Sequence, residues 1–354
     1  MKTRAQIKRA TLIGQRAIET LDAETQQALI DLYKIQAGEI ATRIRNHSGP
    51  DDNLALQELQ QLLGQVQGIL QRLTTERDAL LNEALAKAAD YGARPVLGSV
   101  MDTGAVVATA ASMRVSQDAL RFMQTFIAED GLQLADRIWR IDRGARDKIV
   151  NALESAIIQG HGAGQAAREF LAQGAAVPAD VANKLTAANA SALSKTAQEI
   201  MAGTGSPMDN AMRLMRTEIN RAHGEAYMMG GEDHPDFGGW RFLLSPAHPK
   251  PDICDLLSTQ NLYGLGPGVY PDRERLPWPP HPNTLSFVEI VFKDEITAEA
   301  KAGKETPLEA LARLAPERRE GVLGKGKAEI YDAGKLTQGM IRAPLATVAK
   351  RIAS

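Results

Sequence analysis

The chain has 354 residues, a formal net charge of −2 and a pI near 6.3, which excludes a globally basic nucleic-acid binder. Its one cysteine excludes an intramolecular disulfide framework, and it has no run of about 18 apolar residues that would span a membrane. Aromatic residues make up only 5% of it while alanine and leucine are abundant, so packed helices are expected rather than an aromatic-rich β core.

The segment Met1–Arg9 is basic, but no long apolar run follows, so a secretory signal is not expected. Ala5 to Arg45 reads as a helix with a break near Leu21–Glu24, ending at Asn46-His47-Ser48-Gly49-Pro50. His47 is read as a loop residue at that break. A second helix is expected from Asp51-Asp52-Asn53, whose carboxylates suit a helix N-terminus. Leu59, Leu62, Leu63, Val66, Ile69, Leu70 and Leu73 then make one apolar stripe at a 3–4 spacing. The opposite face is rich in glutamine, which predicts a helical hairpin or assembly arm packed on one side. Gly92-Ala93-Arg94-Pro95 is expected to end it.

Small residues from Gly104 to Ser112 precede a helix through Leu120 and Phe126. Trp139-Arg140-Ile141-Asp142 is expected just before another helix, with Ile149, Leu153, Ile157 and Ile158 on one side. Gly160-His161-Gly162-Ala163-Gly164 reads as a turn into a helix from Ala166 to Leu171. No strand precedes it and no Gly-Lys-Ser/Thr follows, so it is not read as a phosphate loop.

The helix after Ser206 carries the fullest set of signals. Ser206 is a good N-cap, Pro207 suits the first helical position, and Gly230-Gly231 terminates it. Met208, Met212, Met215, Ile219, Ala222, Ala226 and Met229 form the expected buried face. Arg213, Arg216, Asn220 and His223 line another face. Periodicity alone reads that face as solvated and salt-bridged, worth a few tenths of a kcal/mol per pair.

From Trp240 to Phe292 the composition changes, with two of the three tryptophans, the cysteine and prolines and glycines concentrated there. Trp240–Leu244 and Leu285–Phe292 are expected to pair in a small sheet, with Pro277-Trp278-Pro279-Pro280 covering it. His248, Asp252, Cys254, Asp255 and His281 are the residues able to ligate a metal. They lack the paired spacing of a convincing zinc site, so a hydrogen-bonded, proline-stiffened turn is the competing reading. Cys254 with His281 or His248 would also supply a nucleophile and a base, but neither a nucleophile elbow nor an oxyanion-hole signature accompanies them.

Arg216-Thr217-Glu218 on a helix, a Trp-led strand, Asp252-Ile253-Cys254, and Pro280-His281-Pro282 before a β-branched strand stand in a recognisable order. Over roughly Trp139 to Met340 this arrangement resembles the phage head morphogenesis family, minor capsid proteins similar to the F protein of phage Mu. The tail, with Leu323-Gly324-Lys325 and then Gly334-Lys335-Leu336-Thr337, is a second point of resemblance. In that family the R-T-E unit implies a guanidinium and a carboxylate tying the helix to the following β segment. Family members commonly carry a His-Pro-x-Cys-Arg-Cys turn suggestive of a structural metal. Here Thr284, Leu285 and Ser286 replace its Cys-Arg-Cys.

The resulting expectation is an α+β, predominantly helical protein. Its predicted parts are a helical arm (1–92), a helical middle region (93–205), a head-morphogenesis domain with a small antiparallel sheet (206–296) and a basic helical tail (297–354). The resemblance implies a non-enzymatic minor head protein located in the virion, partnered by portal and by coat or scaffold protein. No cofactor is expected beyond zinc as the alternative at the island, and no membrane. Lys325, Lys327 and Lys335 are the candidates for contact with packaged DNA. The rival expectation is a metal-dependent or cysteine hydrolase, or a toxin-like enzyme, using the Cys254/His281 island.

Overall fold

The computed structural model describes residues 2–47, 59–101, 105–127, 131–157, 190–202, 205–246, 248 and 250–353. The fold is α+β and mostly helical, with a small antiparallel sheet. The helices of the first two-thirds are α1 (Arg4–Asn46), α2 (Leu59–Leu97), α3 (Ala110–Thr125), α4 (Leu134–Ile157), α5 (Ala190–Ala202) and α6 (Pro207–Gly231). Between α2 and α3 lies a short antiparallel pair, β1 (Ser99–Val100) and β2 (Val106–Val107).

Three sequence expectations are corrected here. α1 runs unbroken through Leu21–Glu24, because Leu-Asp-Ala-Glu contains no glycine or proline to interrupt it. α2 continues past Pro95 to Leu97, since only the last turn is affected; Lys2 Nζ donates to the carbonyls of Arg94 (2.7 Å) and Pro95 (3.0 Å) that end the helix. Trp139–Asp142 lies inside α4 rather than before it. The expected start of the second helix at 51–53 and the turn and helix expected at 160–171 lie outside the described residues.

The chain divides into two compact units, one of Met1–Thr20, Leu85–Met123 and Thr217–Ser354, the other of Leu21–Ala84 and Gln124–Arg216. In the second unit, Leu62, Val66, Ile69, Leu70 and Leu73 of the α2 stripe are buried, each worth roughly 1.5–3 kcal/mol. There the buried Arg77 guanidinium donates to Asp78 (2.6 Å) and Asp142 (3.1 Å), joining α2 to α4.

The first unit holds the sheet, in the order β4 (Val269–Tyr270), β3 (Phe237–Leu243), β5 (Phe287–Phe292), all antiparallel. Trp240 pairs with Tyr270 on one side and Ile290 on the other, as expected of a Trp-led strand beside a β-branched one. Trp240, Phe242, Ile290 and Phe292 build the core with Tyr227 and Met228 of α6. Trp278 packs edge-on to Phe242, and its indole lies so close to Gly224 that a Cβ there would meet it at 2.1 Å. Only glycine permits that approach.

A short helix α7 (Ile253–Thr259) follows β3. After β5 come α8 (Ala298–Ala302), α9 (Pro307–Ala312), α10 (Pro316–Leu323), α11 (Lys325–Asp332) and α12 (Leu345–Ala353). Leu311, Leu323 and Val348 close a second apolar core against Leu256 of α7.

Candidate functional site

Asp252, Cys254 and His281 meet because a helix start and a proline-rich turn are brought side by side. Asp252 is the N-cap of α7; its Oδ1 accepts the N–H of Cys254 (2.7 Å), while Asp255 Oδ2 accepts the N–H of Asp252 (2.9 Å), a reciprocal capping box. This fixes Cys254 in the first turn of the helix, fully buried. His281 arrives from 27 residues further on, its Nε2 lying 3.1 Å from Cys254 Sγ and 3.2 Å from Asp252 Oδ2. His281 Nδ1 donates to the carbonyl of Pro282 at 2.8 Å.

The turn is pinned to α6. Thr217 Oγ1 accepts the N–H of Asn283 (2.8 Å), and Asn220 Nδ2 donates to the carbonyls of Thr284 (3.1 Å) and Ser286 (3.0 Å). Asn283 holds a φ of 65°, a left-handed conformation that asparagine tolerates better than most residues. Earlier in the same loop, Arg273 Nη1 reaches Glu225 (3.4 Å), and its backbone N–H donates to Glu232 (2.7 Å).

Charge at the site follows from these contacts. The hydrogen bond to Asp252, reinforced by that to Cys254, pushes His281 up to about 10 against the effect of burial. Burial alone would raise Asp252, but the bonds from His281 and from the Cys254 N–H outweigh it and hold the carboxyl at about 2. At neutral pH the pair is therefore imidazolium and carboxylate. His248 forms a second, adjoining pair, its Nε2 lying 2.9 Å from Asp255 Oδ2 and 3.7 Å from Asp252 Oδ1.

This geometry bears on two chemistries. A nucleophile–base–orienter triad engages both ring nitrogens, one for the nucleophile and one for the acid. Here sulfur and carboxylate share Nε2, a carbonyl takes Nδ1, and the sulfur is buried. For a metal the arrangement is better suited: one ligand atom each from Asp252, Cys254 and His281 lies within 4.8 Å of the others. Thiolate, imidazole and carboxylate are ordinary zinc donors, and the Nδ1–carbonyl bond is the outer contact that orients a ligating imidazole. The proton on His281 is the competitor for that place.

The sequence singled out Asp252, Cys254, His281, His248 and Asp255, and the structure places all five within this one cluster. It also makes corrections. Thr217 and Asn220 supply hydrogen bonds between the R-T-E helix and the segment leading into β5, while Arg216 also donates to Asp22 Oδ2 at 2.8 Å and Glu218 accepts from Arg221 at 3.2 Å. The polar face of α6 is not solvated beyond Arg216: Glu218, Arg221, His223 and Glu225 are all buried. Trp240 sits at the centre of the core, its Nε1 donating to Glu232 Oε1 at 3.3 Å. Of the three tail lysines, Lys325 and Lys335 are exposed. Lys327 turns inward to the carbonyls of Ile341 (2.5 Å) and Ala343 (3.3 Å), and burial lowers its pKa, so it is not presented to DNA.

Sequence reasoning missed Arg273 and the burial of Glu225, and marked Thr284 only as the replacement for a family cysteine, although its Oγ1 lies 3.9 Å from Cys254 Sγ. An Arg in a turn and a Glu on a helix carry no local sign that they will meet.

No family model, curated protein or solved structure matches the chain. Among the described residues, no helix is long and apolar enough to cross a membrane.

Proposed function

We propose that the chain is a minor phage head protein, non-enzymatic, acting in head morphogenesis at the portal or capsid interior. One observation carries the reading: the R-T-E and H-P-N segments, 66 residues apart between Thr217 and Asn283, are joined directly by a 2.8 Å hydrogen bond. The ordered motifs thus form one built unit, with the Trp-led strand beneath them, rather than scattered coincidences. Portal and coat or scaffold proteins are the proposed partners, the virion is the proposed location, and Lys325 and Lys335 remain the tail's proposed contacts to packaged DNA.

Co-expression with portal and coat protein tests this. The chain should co-purify with portal or with assembled heads. A chain that never associates with head components, together with knockout heads that assemble and infect normally, would overturn the proposal.

A hydrolase reading has one observation in its favour, the 3.1 Å approach of Cys254 to His281. The shared nitrogen and the buried sulfur argue against it.

A further inference from the structure

Trp139 stands apart from the other two tryptophans: it is 56% exposed, whereas Trp240 and Trp278 are 0% and 9% exposed. It lies on α4 in a groove shared with α2, whose Gln67 and Gln71 form part of the opposite wall. The Arg143 guanidinium stands over its ring, 5.2 Å from the centroid. On a helix advancing about 100° per residue, Trp139, Arg143 and Arg146 fall within one narrow sector, with Arg140 about 100° round the helix from Trp139. All three arginines are exposed.

The balance of charge in the groove is positive. Asp142 is engaged by Arg77. Asp147 sits between Arg143 (3.5 Å) and Arg146 (3.9 Å), so two exposed guanidinium groups lining the groove share one carboxylate and leave it a net positive charge. An anion is therefore the preferred occupant. The indole narrows the class further. An acidic peptide would use the arginines but leave the exposed part of the indole, beyond what Arg143 covers, without a partner. A nucleobase supplies that partner, phosphates meet the guanidinium groups, and glutamine amides can bond to base edges. A single strand offers its base faces without unpairing.

We propose that this α2–α4 groove is a binding site for single-stranded nucleic acid, with Trp139 as the stacking platform and Arg143 and Arg146 as phosphate contacts. The proposal stands independently of the head-protein reading.

Purified full-length protein would be titrated with a labelled oligothymidylate of about 16 nucleotides, following tryptophan emission and anisotropy together. Emission should be quenched saturably, and Trp139→Phe should abolish the quench while anisotropy still reports binding. Trp139→Ala should weaken binding about tenfold, the scale of losing one stacked base. The Arg143→Ala, Arg146→Ala double variant should flatten the slope of log affinity against log salt by about 1.4, for two phosphates on a single strand. Circular dichroism would confirm that each variant keeps its helix content. Absence of binding at low salt would overturn the proposal. So would binding that all three variants leave unchanged, or displacement by polyglutamate as effective as by the oligonucleotide.

Discussion

The hydroxyl of Thr217 accepts the backbone N–H of Asn283 at 2.8 Å, with Thr217 only 4% exposed. One part-buried bond thus joins a helix to a turn whose next residue but one toward the N-terminus is His281. The consequence runs from packing to site: without this anchor, the left-handed Asn283 loses a bond that holds it and His281 loses part of the frame that aims Nε2 at Asp252.

Thr217→Val keeps the shape of the side chain and removes the acceptor. The bond is part-buried, so losing it should cost about 0.5–1.5 kcal/mol, the net worth of an ordinary hydrogen bond, and a loss of that size is expected in urea denaturation. Asn283→Gly, which accepts the same φ and keeps the N–H, should cost less than Thr217→Val. Equal stability of wild type and Thr217→Val would show that the bond does not hold the turn.

Two buried groups on α6 make opposite contributions to stability as pH changes. Burial pushes His223 down to about 4 from 6.5, so below pH 6.5 the unfolded chain takes up a proton that the folded chain refuses. Stability from this group is complete above pH 6.5 and falls as pH drops toward 4, by about 3 kcal/mol. Glu225 is pushed up to about 7 from 4.5 by burial, only partly offset by Arg273 and Arg221 and reinforced by Glu232. Its contribution is complete below pH 4.5 and is lost as pH rises toward 7, by a similar amount. Between pH 4.5 and 6.5 the two slopes cancel. His223→Leu should therefore make stability fall with rising pH across that window, and Glu225→Gln should make it rise. Denaturation midpoints at pH 4.5, 5.5 and 6.5 (steps of about one unit, set by the shifts) measure both, and variants with the wild-type slope would refute the assignment.

Much of the fold can be read from local chemistry. Ser206, Pro207 and Gly231 mark the limits of α6, with Ser206 Oγ accepting the N–H of Asp209 at 3.3 Å. β-Branched and aromatic residues mark β3 and β5. What escapes the sequence is long-range. Cys254 and His281 are both visible as reactive types, but their meeting depends on a turn threaded through Arg273, Trp278 and Asn283. The polar residues on α6 read as a solvated face because their partners lie far along the chain. The β1–β2 pair, two residues per strand, is too short to give a period. A break in α1 was expected where no breaker residue stands.

At the Cys254–His281 cluster, zinc must displace a proton. With His281 held at about 10, release of its proton alone makes zinc affinity rise about tenfold for each pH unit between 7 and 9. A competition titration against a chromophoric chelator at several pH values should show at least that slope. One equivalent should bind, and both Cys254→Ala and His281→Ala should lose it. Uptake that is independent of pH, or that survives both variants, would place the ion elsewhere.

The same burial governs thiol reactivity. Cys254 is the chain's single cysteine and is 0% exposed, so an aromatic disulfide reagent should leave the native protein unmodified. One equivalent should react once the protein is denatured. Rapid modification of the native thiol would revive the nucleophile reading, because it would show a path from solvent to the sulfur.

The α2 stripe supplies the last prediction. Leu62 and Ile69, each 1% exposed, belong to the unit formed by Leu21–Ala84 and Gln124–Arg216. Trp240 and Trp278 belong to the other unit, in a core of their own with Phe242 and Ile290. A carboxylate forced into an apolar site costs several kcal/mol unless it is paired, so Leu62→Asp with Ile69→Asp should undo the second unit's core. Far-UV dichroism should fall as its helices melt. Emission from Trp240 and Trp278 should stay buried and blue-shifted, read in a Trp139→Phe background so that only those two report. Heating should then show a separate, later transition in that emission, and limited proteolysis should leave a fragment containing Trp240–Phe292. A single transition seen by both probes would mean that the two units share one cooperative core, and that the leucine stripe holds up the sheet as well as its own helices.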